Sequence, residues 1–170
     1  MTKREKIKLD KLQIKLLSKD ATMPERKYKT DAGLDIFAAE NQLVRRNETK
    51  VIRTDIAVNI PKGYEGTIRP RSGKSSETSL RVVVGTIDAH YIGAIGVICD
   101  CHNKDPFVHI KKGDKIAQLV INPVVTPEVE AVEDFGIDSE RGNKGFGHSD
   151  KKENIKEKVE QTLKRGVENE

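Results

Sequence analysis

The chain has no tryptophan, two cysteines and only 4% aromatic residues. A core so short of large rings must be built from aliphatic side chains. Two cysteines cannot supply the dense disulfide framework of a small secreted scaffold. No apolar run approaches the roughly 18 residues of a membrane span. Near the start, lysines interrupt Ile7, Leu9, Leu12, Ile14 and Leu16, so no apolar stretch of the signal-peptide kind is present. An excess of one charge is missing as well. Lys and Arg number 31 against 27 Asp and Glu, a net charge of +4. That is too mild for the basic footprint of a nucleic-acid binder. The expectation is a cytoplasmic protein with no membrane contact and no direct nucleic-acid partner.

What is present points to one β-rich body. Of the 170 residues 35% are hydrophobic, about 60 side chains, enough for a single core. Short apolar runs at 11–17, 34–38, 50–53, 56–60, 67–69, 81–84, 94–101 and 115–125 are punctuated by Gly, Pro or Asn. A further strand is expected at 129–132. Runs of this length at close spacing predict an all-β sandwich, barrel or jelly roll. The helical signal inside the body is 74–79, a turn or two. Residues 1–140 are expected to form this domain. Polar, Gly-rich 141–150 lacks apolar periodicity and is expected to be a mobile arm. In charge-dense 151–170, Ile155, Val159 and Leu163 recur at i, i+4 and i+8. That narrow stripe is compatible with a solvated tail or with a helix docked on a partner. Cys99 and Cys101 share one strand face. The spacing suits buried free thiols in a reducing compartment; a metal site including His102 is the alternative, and it needs further ligands.

Five polar segments interrupt the strands where a packed core has no use for them. Asp31-Ala32-Gly33-Leu34-Asp35 offers a carboxylate. Pro70-Arg71-Ser72-Gly73-Lys74-Ser75 combines a fixed cation, a hydroxyl and open backbone amides, which suit a phosphate oxygen. Gly85-Thr86-Ile87-Asp88-Ala89-His90-Tyr91-Ile92-Gly93 presents Asp88 at a strand end, as a turn-former, a general base or a metal ligand. His90 stands beside it, of the residue type most often used as a general acid or base. Gly113-Asp114-Lys115-Ile116-Ala117-Gln118-Leu119 sets Gln118 among apolar neighbours, where its amide needs a partner. Arg141-Gly142-Asn143-Lys144-Gly145-Phe146-Gly147-His148-Ser149 can bring backbone amides to an anion and the Phe146 face to a flat ring.

Together, and in this order, the five segments resemble the five motifs of the trimeric dUTP diphosphatase (dUTPase) family. Ala32-Gly33-Leu34-Asp35-Ile36, Pro70-Arg71-Ser72-Gly73, the Gly85 to Gly93 segment, Gly113 to Leu119 and Arg141 to Gly147 carry the likeness, which runs from about residue 12 to 149. The resemblance implies an all-β jelly roll, a homotrimer, and Mg2+-assisted hydrolysis of dUTP to dUMP and pyrophosphate. It implies Asp88 as the base that deprotonates water, and Asp35 as a metal residue acting through water. Arg71, Ser72, Gly73 and Gln118 would bind phosphates. Gly85, Thr86, Ile87 and Gly96 would present the hairpin backbone to uracil, and Tyr91 would exclude a ribose 2′-hydroxyl. Arg141, Phe146, Gly147 and Ser149 would close over the nucleotide. Here the last motif continues His148-Ser149-Asp150 where the family commonly has Ser-Thr-Gly, and some 20 residues follow. Two other activities are kept beside this one. One is a dCTP deaminase of the same fold. The other is a dUTPase with an added regulatory protein partner, as in some phage-borne members, for which the compartment is the host cytoplasm.

Overall fold

The computed structural model describes residues 11–102, 105–137 and 142. Among these residues, eleven strands and one short helix follow in the order β1 (Gln13–Leu16), β2 (Gly33–Phe37), β3 (Gln42–Arg45), β4 (Thr49–Arg53), β5 (Ile56–Asn59), β6 (Tyr64–Arg69), α1 (Ser72–Glu77), β7 (Leu80–Val82), β8 (Gly85–Ile87), β9 (Gly96–Cys101), β10 (Phe107–Ile110) and β11 (Lys115–Pro123). A four-stranded sheet runs β2-β11-β6-β8 and a three-stranded sheet runs β4-β9-β7, with the pairs β1-β5 and β10-β3 beside them. Every named pair is antiparallel. All eight apolar runs expected in the body contain a strand.

Alternation explains the packing. In β9, Val97, Cys99 and Cys101 point inward while Gly96 and Ile98 face out. Ile36, Ile52, Ile56, Ile60, Val44, Val58, Val97 and Leu119 are fully buried, each contributing roughly 1.5–3 kcal/mol by its removal from water. The core is therefore aliphatic, as the scarcity of aromatics requires. Both cysteines are buried free thiols. Burial, reinforced by the Asp100 charge, pushes the Cys99 thiol up to about 12, so it stays protonated at neutral pH.

Three strands were not anticipated. β3, β8 and β10 are only three or four residues long. The pairing of β3 with β10, distant in sequence, holds both in place. The expected strand at 129–132 is absent: Val129 is 98% exposed and these residues pair with nothing. A strand's backbone groups need a partner ladder, and an apolar run without one stays irregular. The helix spans Ser72–Glu77, two residues before the expected start. The Thr78 backbone N–H and hydroxyl both bond the Lys74 carbonyl and close its last turn. The chain divides into two units at Pro127/Glu128.

Candidate active site

The strand register brings three of the polar segments to one spot. Gln118 of β11 lies opposite Asp35 of β2 on one side and Arg69 of β6 on the other. Residues directly opposite share a sheet face. Arg71, two residues beyond Arg69, reaches back over that face. Its Nε donates to Asp35 Oδ1 at 2.9 Å, and Gln118 Nε2 donates to the same oxygen at 3.4 Å. Lys115 Nζ lies 3.0 Å from Asp35 Oδ2 and 3.0 Å from Glu25 Oε1. The Arg71 Nη1 also donates to the Lys115 carbonyl at 3.3 Å. Asp35 is only 5% exposed. Burial alone would raise its carboxyl pKa. The hydrogen bonds from Lys115 and Gln118, with the Arg71 and Lys115 charges, outweigh burial and hold it below the usual value. Asp35 and Glu25 in turn hold the Lys115 ammonium above its ordinary value. Among the described residues, no group of three or more His, Cys, Asp or Glu side chains could hold a metal by itself.

A second group forms around the turn that carries the chain from β8 to β9, and so from one sheet to the other. Thr86, Ile87, Asp88, Tyr91, Ala94, Ile95 and Gly96 line a pocket of about 310 Å³. The Asp88 side chain is exposed and has no hydrogen-bond or ion-pair partner among the described residues. The turn is pinned at both ends to β5 and its neighbours. His90 N–H donates to the Ile60 carbonyl at 3.0 Å, and Ile95 N–H to the Ile56 carbonyl at 2.9 Å. The Thr54 hydroxyl donates to the Ile95 carbonyl at 2.5 Å. His90 adopts φ 63°, the left-handed region, which lets the chain reverse. Tyr91 folds over Gly93, where any Cβ would overlap its ring, and its hydroxyl donates to the Ala94 carbonyl at 3.2 Å. At Gly96 a Cβ would meet Val51 Cγ1, so the close approach of β9 and β4 beside the pocket requires glycine.

The dUTPase family model matches residues 19–150, a range that contains all five polar segments. The chain belongs to the dUTPase family. The deoxyuridine 5′-triphosphate nucleotidohydrolase of Clostridium tetani is 40% identical over 142 residues, covering 82% of this chain and 97% of that protein. The dUTPase of Staphylococcus bacteriophage 80alpha, solved with the nucleotide analogue dUPNHPP, matches with TM-score 0.77 and 45% identity, over 82% of this chain and 98% of that one. A mutant dUTPase of Staphylococcus aureus phage phi11, described with a structural Mg(II) ion, matches with TM-score 0.68 and 41% identity, over 75% and 100%. With these neighbours the strand arrangement is the dUTPase β jelly roll.

The dUTPase motif residues therefore fall into two clusters. Asp35, Arg71 and Gln118 meet through hydrogen bonds, with Ser72 and Gly73 exposed at the start of α1 beside Arg71. Thr86, Ile87, Asp88, Tyr91 and Gly96 meet at the pocket, while Gly85 stands at the far end of β8, opposite Ile68. No hydrogen bond or ion pair joins Asp88 to the Asp35 cluster among the described residues. Arg141, Phe146, Gly147 and Ser149 lie outside the described residues. Lys115 and Glu25 were not singled out from the sequence. Lys115 stands three residues from Gln118, a spacing that alternation assigns to opposite faces. Their shared site follows from a register shift in β11.

Proposed function

We infer that this chain hydrolyses dUTP to dUMP and pyrophosphate. The observation that carries this reading is that one family match, over 19–150, spans all five chemistry-bearing segments in order. In the step, a water oxygen bonds to the α-phosphorus. The bond from that phosphorus to the oxygen bridging toward the β-phosphate breaks, and the electron pair leaves with pyrophosphate. Asp88 takes the water's proton. Its exposed, unpartnered carboxylate supports that role. Asp35 is the poorer base, because bonded cations stabilise its charged form. Arg71 has Nε and Nη1 engaged on protein oxygens, which leaves Nη2 for a phosphate oxygen. Ser72 and Gly73 supply a hydroxyl and backbone beside it; around Gly73, nothing stands within 4 Å of where a Cβ would be. The Gln118 amide adds a further contact.

Mg2+ is the implied metal, and the donor set can be tested against it. Asp35 accepts from Arg71, Gln118 and Lys115, three of the roughly four acceptor sites of a carboxylate. One site remains, which fits contact through a water of a cation that keeps its hydration shell. When bound, the ion gathers triphosphate oxygens and offsets charge on the leaving pyrophosphate.

Base and sugar selection belong to the pocket. The backbone around Gly85, Thr86, Ile87 and Gly96 pairs with uracil's edge, and cytosine's inverted donors and acceptors leave buried groups unpaired. Tyr91, held by the Ala94 carbonyl, leaves no room for a 2′-hydroxyl. Residues 1–140 form the body of the enzyme. The 141–150 arm, with Arg141, Phe146, Gly147 and Ser149, covers the bound nucleotide, and 151–170 is an extension without a catalytic part. The enzyme is a homotrimer. Val51 and Ile98 pair across β4 and β9, with Val83 bonded to Ile98, and this exposed apolar row supports contact with sister chains. We place the enzyme in the cytoplasm, where its nucleotide substrate is made and used. Among the described residues no helix is long and apolar enough to cross a membrane. Likeness to the 80alpha enzyme, reported to control transfer of virulence genes, supports an added regulatory protein partner.

Pyrophosphate and ammonia release are measured with dUTP, dTTP, dCTP and UTP. The expected result is pyrophosphate from dUTP, with kcat/KM at least about 10²-fold above the others. Ammonia from dCTP would establish deamination instead.

A further inference from the structure

The pairing of β11 with β2 is irregular at one place. Gln118 lies opposite Asp35 and Ala117 opposite Ile36, but Lys115 lies opposite Phe37, so Ile116 is an extra residue without a partner. Ile116 and Ala117 are both buried, at 1% and 0% exposure. In a regular strand these neighbours would face opposite sides, and Lys115 would point away from Gln118. The bulge puts both apolar neighbours into the core and turns Lys115 onto the Asp35 face, the kind of re-aiming that bulges perform beside functional sites. Lys115 then packs over the Phe37 ring, with Nζ 5.4 Å from the ring centre. Glu25 holds its ammonium from the other side. The Glu25 backbone is bridged to that of Asp35, through Asp35 N–H to the Glu25 carbonyl at 2.7 Å. Lys115 is thus fixed by a backbone irregularity, a ring and a second carboxylate, and its ammonium rests against Oδ2 of Asp35, the oxygen that Arg71 and Gln118 do not bond.

We propose that Lys115 is a positioning residue that occupies Asp35 Oδ2 and so restricts the carboxylate to water-mediated contact with the metal. It is neither a metal ligand nor a catalytic residue. The proposal rests on the assignment of Asp35 to the magnesium site. Without the ammonium, Oδ2 is free for direct ligation, and a unit positive charge 3.0 Å away is gone. Asp35 keeps its bonds to Arg71 and Gln118, so little orientation is lost. The charge effect wins, and metal affinity rises rather than falls.

The test uses the full chain with a non-hydrolysable dUTP analogue bound, which supplies phosphate oxygens to the ion, and with Mn2+ as probe, its binding followed by electron paramagnetic resonance and water-proton relaxation. Lys115→Met is expected to tighten Mn2+ binding about tenfold, and Lys115→Gln, better tolerated at a half-buried position, to act in the same direction. Lys115→Arg keeps the charge and should stay within about twofold of the parent. Lys74→Met removes a nearby cation whose partner is Asp114, not Asp35, and should change affinity less than Lys115→Met. Unchanged Mn2+ affinity in both neutral variants overturns the proposal. An equal gain in Lys74→Met does so too, since it reveals a general charge effect. Asp35→Asn separates the underlying assignment. If it leaves the Mg2+ requirement for dUTP hydrolysis unaltered, Asp35 is not the metal residue, whatever the Lys115 variants do.

Discussion

Asp35 and Asp88 are carboxylates of one enzyme in opposite surroundings. Asp35 lies inside β2, buried, with three side-chain donors on its two oxygens. Asp88 stands exposed just past β8, its side chain without a hydrogen-bond or ion-pair partner among the described residues. The strands around Asp35 are hydrogen-bonded on both sides of β11, whereas the turn of Asp88 is fastened at His90 and Ile95. The difference fits the two roles proposed for these groups. A carboxylate that sets the place of a cation works best rigid and permanently charged, and its bonded cations guarantee both. One that takes a proton must have a free lone pair and a charge not already claimed. The two proposed roles therefore fall on different architecture, one on paired strands and the other on a turn between two sheets.

The largest effect is expected at Asp88. Asp88→Asn keeps the shape and removes proton acceptance, and turnover should fall roughly 10²–10⁴-fold while binding of a non-hydrolysable analogue persists. His90→Ala should fall far less in the same pyrophosphate assay. Near-parental turnover in the asparagine variant, or a larger loss at His90, would remove Asp88 from the role of base.

A smaller effect is expected at the wall of the pocket. Tyr91→Ala removes a ring fixed to the Ala94 carbonyl. The ratio of kcat/KM for dUTP over UTP should drop about tenfold, the scale of one lost steric contact. Overall rate can fall through lost packing, so the ratio decides; an unchanged ratio means that sugar choice lies elsewhere.

The smallest effect concerns the acid stability that Asp35 provides. Its carboxyl titrates below the ordinary carboxylate value in the folded chain. Its contribution is therefore present above the unfolded carboxylate value, about pH 3.9, and is lost as pH falls from there through the lower folded value. Asp35→Asn should cost about 1–3 kcal/mol at pH 7, through donors left without their charged acceptor. It should also flatten the stability curve below pH 4. Denaturant titrations between pH 2.5 and 7 measure both. An acid limb identical to the parent's would show that Asp35 is not what the native state protects there.

By itself the sequence determined the β class, the aliphatic core and the order of five polar segments, because period-2 alternation and Gly-rich interruptions are local signals. Asp35, Arg71, Gln118 and Asp88 were legible as candidates on the same ground: polar groups placed where a core does not want them. Other features depended on partners far along the chain. β3 and β10 are strands because each completes the other. Val129 and Val132 resemble a strand in sequence, and none forms where no ladder takes them up. Only the tertiary structure decided that Lys115 faces Asp35. The alternation rule puts Lys115 and Gln118 on opposite faces. The single unpaired residue Ile116 reverses that rule, because burying its side chain in the core fixes a register that the pattern of Lys115 to Gln118 does not contain.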